Sequence, residues 1–291
     1  MGARVWLLAA RPATLPAAIA PVLVGTAAAT VIVDFRVGPF VAALIAAIFI
    51  QIGTNYANDF SDFRHGADDE GRLGPTRATQ AGLVSAKAMA MATSVAFAVA
   101  GGLGIYLTIE AGWPVLVVGV GSIVAGYLYT GGPWPYGYHG LGDLFVFTFF
   151  GVVAVMGSFF VQAEHLTWEA AAAAIPVGCT VTAILVVNNL RDVPTDRRTG
   201  KRTLAVILGP VFARVEYALL LITAFALAPI FAAAELMPWW SMETWLALPL
   251  AALLLRLVVG GMEGGGLNKV LKLTGQLHLL MGVLLALSYL W

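Results

Sequence analysis

Phe40-Val-Ala-Ala-Leu-Ile-Ala-Ala-Ile-Phe-Ile50 runs without a break into Gln51-Ile-Gly-Thr-Asn55-Tyr-Ala-Asn58-Asp59-Phe-Ser-Asp62. The first part is apolar throughout, and five of the chain's sixteen acidic residues follow between Asp59 and Glu70. A helix carried through the junction places Asn55, Asp59 and Asp62 at i, i+4 and i+7, on one face. Three oxygen-bearing side chains on one face at a helix end can hold a hard cation. A charge run is more often a solvated loop, but these residues extend a membrane-type helix, where ionisable groups are costly and mark function.

Working outward, the chain is 60% hydrophobic and 11% charged over 291 residues, against roughly 25% charged in soluble domains. It reads as an all-α integral membrane protein, with the lipid bilayer as its first partner. A formal net charge of zero offers nothing to nucleic acid. Cys179 is the single cysteine and sits in an apolar run, as a small buried hydrophobe would.

A span needs roughly 20 apolar residues, and nine stretches come close: 13–33, 38–58, 86–109, 113–130, 142–163, 168–190, 210–234, 244–262 and 271–291. The first is expected to be a retained span and not a signal peptide. With the N-terminus cytoplasmic, fifteen of the sixteen lysines and arginines fall inside and only Arg36 falls outside. Glu110, Glu164 and Glu235 lie on the outer links. No soluble segment interrupts the pattern, so residues 1–291 are expected to form a single transmembrane domain.

The block at 55–66 has an echo. Asn55-x3-Asp59-x2-Asp62-x3-Gly66 is matched four spans later by Asn188-x3-Asp192-x3-Asp196-x3-Gly200. An even number of spans returns both copies to one membrane face, so two carboxylate faces can converge. Close carboxylates repel unless cations lie between them, and an all-oxygen set favours Mg²⁺ or Mn²⁺ over zinc. Arg72, Arg77, Lys201 and Arg202 suit the outer oxygens of a phosphate, although each alone also satisfies the inside-positive bias.

Asn58-Asp-Phe-Ser-Asp62-x5-Asp68-Asp with Arg72-Leu-Gly-Pro-x-Arg77, and Asn188-Asn-Leu-Arg-Asp192-Val-x-Thr-Asp196-Arg-x-x-Gly-Lys201, resemble the two aspartate-rich motifs of the UbiA superfamily of intramembrane prenyltransferases. Arg11-Pro-Ala-Thr-Leu-Pro16 and Tyr136-Gly-Tyr138-His-Gly-Leu-Gly-Asp143 are similar to its 1,4-dihydroxy-2-naphthoate polyprenyltransferase branch. The likeness runs from Arg11 to about Gly209.

The resemblance implies a helical bundle with a central cavity in the cell membrane, its active site facing the cytoplasm. It further implies transfer from a polyprenyl diphosphate to 1,4-dihydroxy-2-naphthoate, with two Mg²⁺ ions bridging aspartates and diphosphate. The implied metal set is Asp59, Asp62, Asp192, Asp196 and Asn188, with Asp68 a further member and Asn55 or Asn58 as the matching asparagine. The family pattern asks for a third aspartate where Gly66 stands, so the register stays open. Tyr129, Tyr136 and Tyr138, with Tyr127 and Trp134, are candidates to steady an allylic cation, or else an interfacial aromatic belt. Arg11 joins the substrate-binding side chains. Asp143 is either a general base or a helix N-cap. The competing readings are an acceptor such as 4-hydroxybenzoate and a secondary transporter with intramembrane carboxylates.

Overall fold

The computed structural model describes residues 2–64, 66, 73, 74 and 76–291. Every regular element among them is helical, as an apolar chain in lipid requires when each N–H must find its acceptor within the segment. Helix α1 (Ala3–Ala10) ends at Arg11, whose φ of 51° lies in the left-handed region. Pro12 then opens a 3-10 turn and Pro16 starts α2 (Pro16–Ala29). Neither proline has an N–H to give, so the chain bends by 54° here. The stretch expected as a first span over 13–33 is therefore the second arm of a bent pair.

Helix α3 (Val37–Arg64) carries on through Asn55, Asp59 and Asp62, as the register of the quoted stretch demands. Helix α4 (Ala86–Ala111) begins on Ser85, whose hydroxyl accepts from the Ala88 amide. It stops at Gly112, with φ 92°, and Pro114 opens α5 (Trp113–Leu128). Helix α6 (Gly142–Val146), a π-helical segment (Phe147–Val153) and α7 (Ala154–Ala163) make one span, Gly142–Ala163. Helix α8 (Trp168–Arg198) is followed by the short α9 (Leu204–Ile207) and by α10 (Pro210–Ala233). A 3-10 segment (Trp239–Ala247) leads into α11 (Leu248–Val259), and α12 (Gly266–Leu287) closes the bundle.

Helix α8 is the post around which the others stand. Its most apolar stretch is 83% buried, whereas the other spans bury 22–44%. Lipid tails are as apolar as leucine, so helices associate here by close packing, and small residues permit it. Ala172, Ala173, Ala174 and Gly178 line the buried surface of α8. A Cβ at Gly151 in the π segment would fall on the backbone of Gly178, so both helices need glycine at this crossing. On the other side, Leu221, Leu254, Leu277 and Met281 bury completely where α10 and α12 pack on α8 and α11 packs on α10 and α12.

Seven helices among the described residues are long and apolar enough to cross a membrane, and the bent pair makes eight. Helix α5, with 16 residues, is about 24 Å long and falls short of a hydrocarbon core of roughly 30 Å. The count by length is thus seven to eight where the hydropathy pattern suggested nine.

Arg36, the lone basic residue expected outside, is clasped at one end of the bundle by Glu110 at 2.5 Å and Glu164 at 3.1 Å. Its backbone exchanges two hydrogen bonds with the Gln162 side chain. These contacts tie the entry of α3 to the ends of α4 and α7.

Candidate active site

The C-terminal ends of α3 and α8 meet across a polar cleft of about 40 Å³. Asn58 and Asp62 enter it from α3; Asn188, Asp192, Thr195 and Asp196 enter it from α8. Arg11, Arg77, Tyr129, Thr130 and Lys201 complete the wall. The cleft adjoins an apolar cavity of about 550 Å³, and Arg11, Asn58, Tyr129 and Asn188 line both. Below that seam the walls are Ala46, Ile50, Phe149, Phe150, Val181 and Ile184, among others. The π segment contributes Phe149, Phe150, Val152 and Val153 to this wall, a common use of π-helical turns at functional sites.

Three residues of α3 that share one face meet three different partners. Asn55 gives its amide hydrogens to the Ala10 carbonyl at 2.9 Å and to Thr14 Oγ1 at 3.0 Å. It lines the apolar cavity and not the polar cleft. Asp59, 1% exposed, accepts the Ala78 amide on Oδ2 at 2.9 Å and the Thr79 amide on Oδ1 at 3.0 Å. It braces a turn and does not line the cleft. Asp62 does line it, accepting Arg77 Nη2 on Oδ2 at 2.5 Å and the Tyr138 hydroxyl on Oδ1 at 2.7 Å. Asn58, one turn before Asp62, accepts from the Thr130 hydroxyl at 2.7 Å. The turn braced by Asp59 is the one that delivers Arg77.

On α8, Arg191 is 2% exposed and forks onto its own neighbour: Nε to Asp192 Oδ1 at 2.7 Å and Nη2 to Oδ2 at 2.6 Å. Such bidentate pairs are geometrically specific as well as strong. Arg191 also donates to Asn188 Oδ1 at 2.9 Å and to Asn268 Oδ1 at 3.0 Å. Lys201 stands with its Nζ 5.3 Å from the centre of the Tyr138 ring, and its amide returns to the Asp196 carbonyl. Arg202 is exposed, outside the cleft, and its backbone amide holds the Tyr138 carbonyl.

The aromatic candidates divide. Tyr129 lines both compartments and packs edge-on against Tyr136, with centroids 5.5 Å apart. Tyr136 stacks on Phe145 at 4.0 Å and donates its hydroxyl to the Ala125 carbonyl. Burial pushes its phenol well above the usual tyrosine range, so it stays protonated. Tyr138 reaches the cleft through Asp62. Tyr127 and Trp134 are 42% and 55% exposed and belong to the surface.

Asp143 is not a helix N-cap: Leu141 holds that position in α6, with no side-chain cap, and Asp143 lies one residue inside. It is buried, and among the described residues its Oδ1 finds no hydrogen-bond partner. Asp68 and Arg72 lie outside the described residues.

Nothing in the sequence singles out Arg191, Asn268 or Thr130. Arg191 stands inside the second motif, where the sequence shows it only as one more charge on the inner side. Thr130 and Asn268 are isolated polar residues at helix ends and carry no local pattern.

The UbiA prenyltransferase family model matches residues 18–264. The chain belongs to that family. Among UbiA relatives, a 1,4-dihydroxy-2-naphthoate octaprenyltransferase of Mycobacterium tuberculosis is 40% identical, over 97% of this chain and 95% of that protein. One of the same name from Escherichia coli is 38% identical, over 97% and 94%. A UbiA homologue from Aeropyrum pernix superposes with a TM-score of 0.73 at 16% identity, covering 93% of this chain and 96% of that one. Another, from Archaeoglobus fulgidus and bound to GPP and Mg²⁺, gives 0.64 at 13% identity, covering 97% and 99%. At such identities the superpositions speak for a shared UbiA fold.

Proposed function

We propose that this chain transfers a polyprenyl group from polyprenyl diphosphate to 1,4-dihydroxy-2-naphthoate, releasing diphosphate and CO₂ and giving demethylmenaquinol for menaquinone synthesis. One observation carries the reading: two aspartate-bearing helix ends, lined with basic side chains, form a polar cleft that opens into an apolar cavity. A substrate with a dianionic head and a hydrocarbon tail matches that pair of compartments. The names of the relatives supply the acceptor.

The donor set toward Mg²⁺ is Asp62, Asp192, Asp196, Asn58 and Asn188, all oxygen. Among the described residues no three acidic, histidine or cysteine side chains close around a metal by themselves. Mg²⁺ takes few protein ligands and completes its octahedron with substrate phosphate and water. Two ions, one per motif, fit the division of the carboxylates between α3 and α8. When bound, Mg²⁺ supplies Lewis-acid stabilisation of the charge growing on the departing diphosphate.

The protein's own side chains do the rest. Arg11, Arg77 and Lys201 face the cleft and can take the outer phosphate oxygens. Asn55 and Asp59 hold α1 and the Arg77 turn in place. As the allylic C–O bond breaks, its electron pair leaves with the diphosphate. Tyr129, at the seam between the compartments, offers its ring to the positive carbon, and Phe149 and Phe150 keep water away. The naphthoate attacks from its carboxyl-bearing carbon, and loss of CO₂ returns an electron pair to the ring. Asp143 is the candidate to hold the naphthol proton, although it lines neither compartment.

The finer topology belongs to the same reading. The nine crossings expected from hydropathy count the short α5 among them; the N-terminus and the cleft face the cytoplasm of a cell membrane, and residues 1–291 act as one domain. The test offers labelled 1,4-dihydroxy-2-naphthoate and 4-hydroxybenzoate with a polyprenyl diphosphate and Mg²⁺. Prenylated naphthol with CO₂ release is expected. Turnover of the benzoate alone refutes the acceptor, and turnover of neither refutes the reaction.

A further inference from the structure

We propose that Asn268 is a positioning residue that locks the two halves of the cleft into one register; this rests on the reading above, in which the cleft receives a diphosphate head. Asn268 is the third residue of α12. Its Oδ1 accepts from Arg191 Nη1 at 3.0 Å, and its Nδ2 donates to the Leu73 carbonyl at 2.8 Å. One partner is a guanidinium, which can only donate, and the other is a carbonyl, which can only accept. Only a side chain carrying an acceptor and a donor on one short stem serves both.

The contacts form a chain across the cleft. Asp192 is gripped by Arg191, Arg191 by Asn268, and Asn268 holds Leu73, four residues before Arg77, which grips Asp62. The start of α12 that carries Asn268 is anchored by burial. Leu267 and Val270 on either side of Asn268 are fully buried in the core beneath α8 and α10. Leu271, three residues on, lines the apolar cavity. The last helix, which touches neither aspartate motif in sequence, thereby sets the spacing between them. A diphosphate spanning both halves senses that spacing; an acceptor seated in the apolar cavity does not. Asn268 therefore acts on the donor and not on the acceptor.

The test compares wild type, Asn268→Leu and Asn268→Asp, each purified in detergent. Michaelis constants are measured separately for polyprenyl diphosphate and for naphthoate, binding of inorganic diphosphate with Mg²⁺ by calorimetry, and folding by thermal midpoint. Asn268→Leu loses both bonds, and its KM for the donor and Kd for Mg²⁺-diphosphate rise about tenfold, with the acceptor KM within about twofold of wild type. Asn268→Asp keeps the oxygen for Arg191, and its donor constants rise about threefold. Donor constants of Asn268→Leu within twofold of wild type overturn the proposal. So does a rise in both substrates' constants that tracks a fallen thermal midpoint in both variants. Should Asn268→Leu fail to fold, Asn268→Asp carries the test, and the absence of a donor-specific loss in it overturns the proposal. Wild type that binds Mg²⁺-diphosphate yet prenylates no acceptor sinks the proposed reaction, while the calorimetric comparison of the variants still decides the role of Asn268.

Discussion

The ends of α3 and α8 bring similar residues to the same cleft by different construction. Each supplies an asparagine and an aspartate one turn apart, and each aspartate carries an arginine: Arg77 on Asp62 and Arg191 on Asp192. On α8 the arginine is the aspartate's own neighbour, fixed within a helix that is buried along most of its length. On α3 the arginine comes from a turn fifteen residues away, and that turn stands on the two amide bonds to Asp59. A buried carboxylate is costly to leave unpaired, so both halves neutralise theirs. The α8 half is prefabricated. The α3 half has to be assembled, and Asp59 is spent on assembling it.

That contrast can be broken at its centre. Asp62→Asn and Asp192→Asn remove one charge from each half, and each should lower prenyl transfer by at least about a hundredfold, as lost electrostatic stabilisation of a transition state does. Purified variants assayed with labelled polyprenyl diphosphate check this; full activity in both sinks the two-sided cleft. A step smaller, Arg191→Lys keeps a charge but cannot fork onto Asp192, and turnover should fall about tenfold or more. The same change at Arg77, which meets Asp62 through Nη2 from a turn fifteen residues away, leaves an ammonium able to take up that contact and should cost less; equal losses would erase the distinction between the halves.

Asp59→Asn sharpens the difference between a brace and a ligand. Losing a charged acceptor of two amides costs about 1.5–3 kcal/mol, so thermal stability should drop and the donor KM rise while the Mg²⁺ activation curve keeps its midpoint. A shifted Mg²⁺ midpoint would return Asp59 to the ligand set. The smallest effect belongs to the clasp at the opposite end of the bundle. Arg36→Ala breaks partly exposed pairs worth about 0.2–1 kcal/mol each. Activity should stay within about twofold of wild type, and the thermal midpoint should fall slightly.

Much of the fold and part of the site could be read from residues alone. The apolar run into Asn55–Asp62 predicts one continuous helix, and α3 is one. The spacing of Asn188, Asp192 and Asp196 places them on one face, and all three line the cleft. Local pattern carries no information where a residue's partner lies far along the chain. Asn268 gives no sign that it faces Arg191, 77 residues away. Tyr127 and Tyr129 look alike in sequence, two positions apart, yet one faces outward and the other closes the seam between the compartments.

The stretch Phe40–Asp62 marks the boundary between local and tertiary determinants. Hydropathy and helical periodicity, which are local, determined that the chain is a bundle of membrane helices and that Asn55, Asp59 and Asp62 share one face of α3. Tertiary structure alone decided what that face meets: the Ala10 carbonyl and Thr14 for Asn55, the turn at Ala78 for Asp59, Arg77 and Tyr138 for Asp62. Periodicity specifies the direction in which a side chain leaves its own helix. What waits there is set by the packing of other segments, and for a carboxylate that neighbour decides between bracing a backbone and lining a cleft.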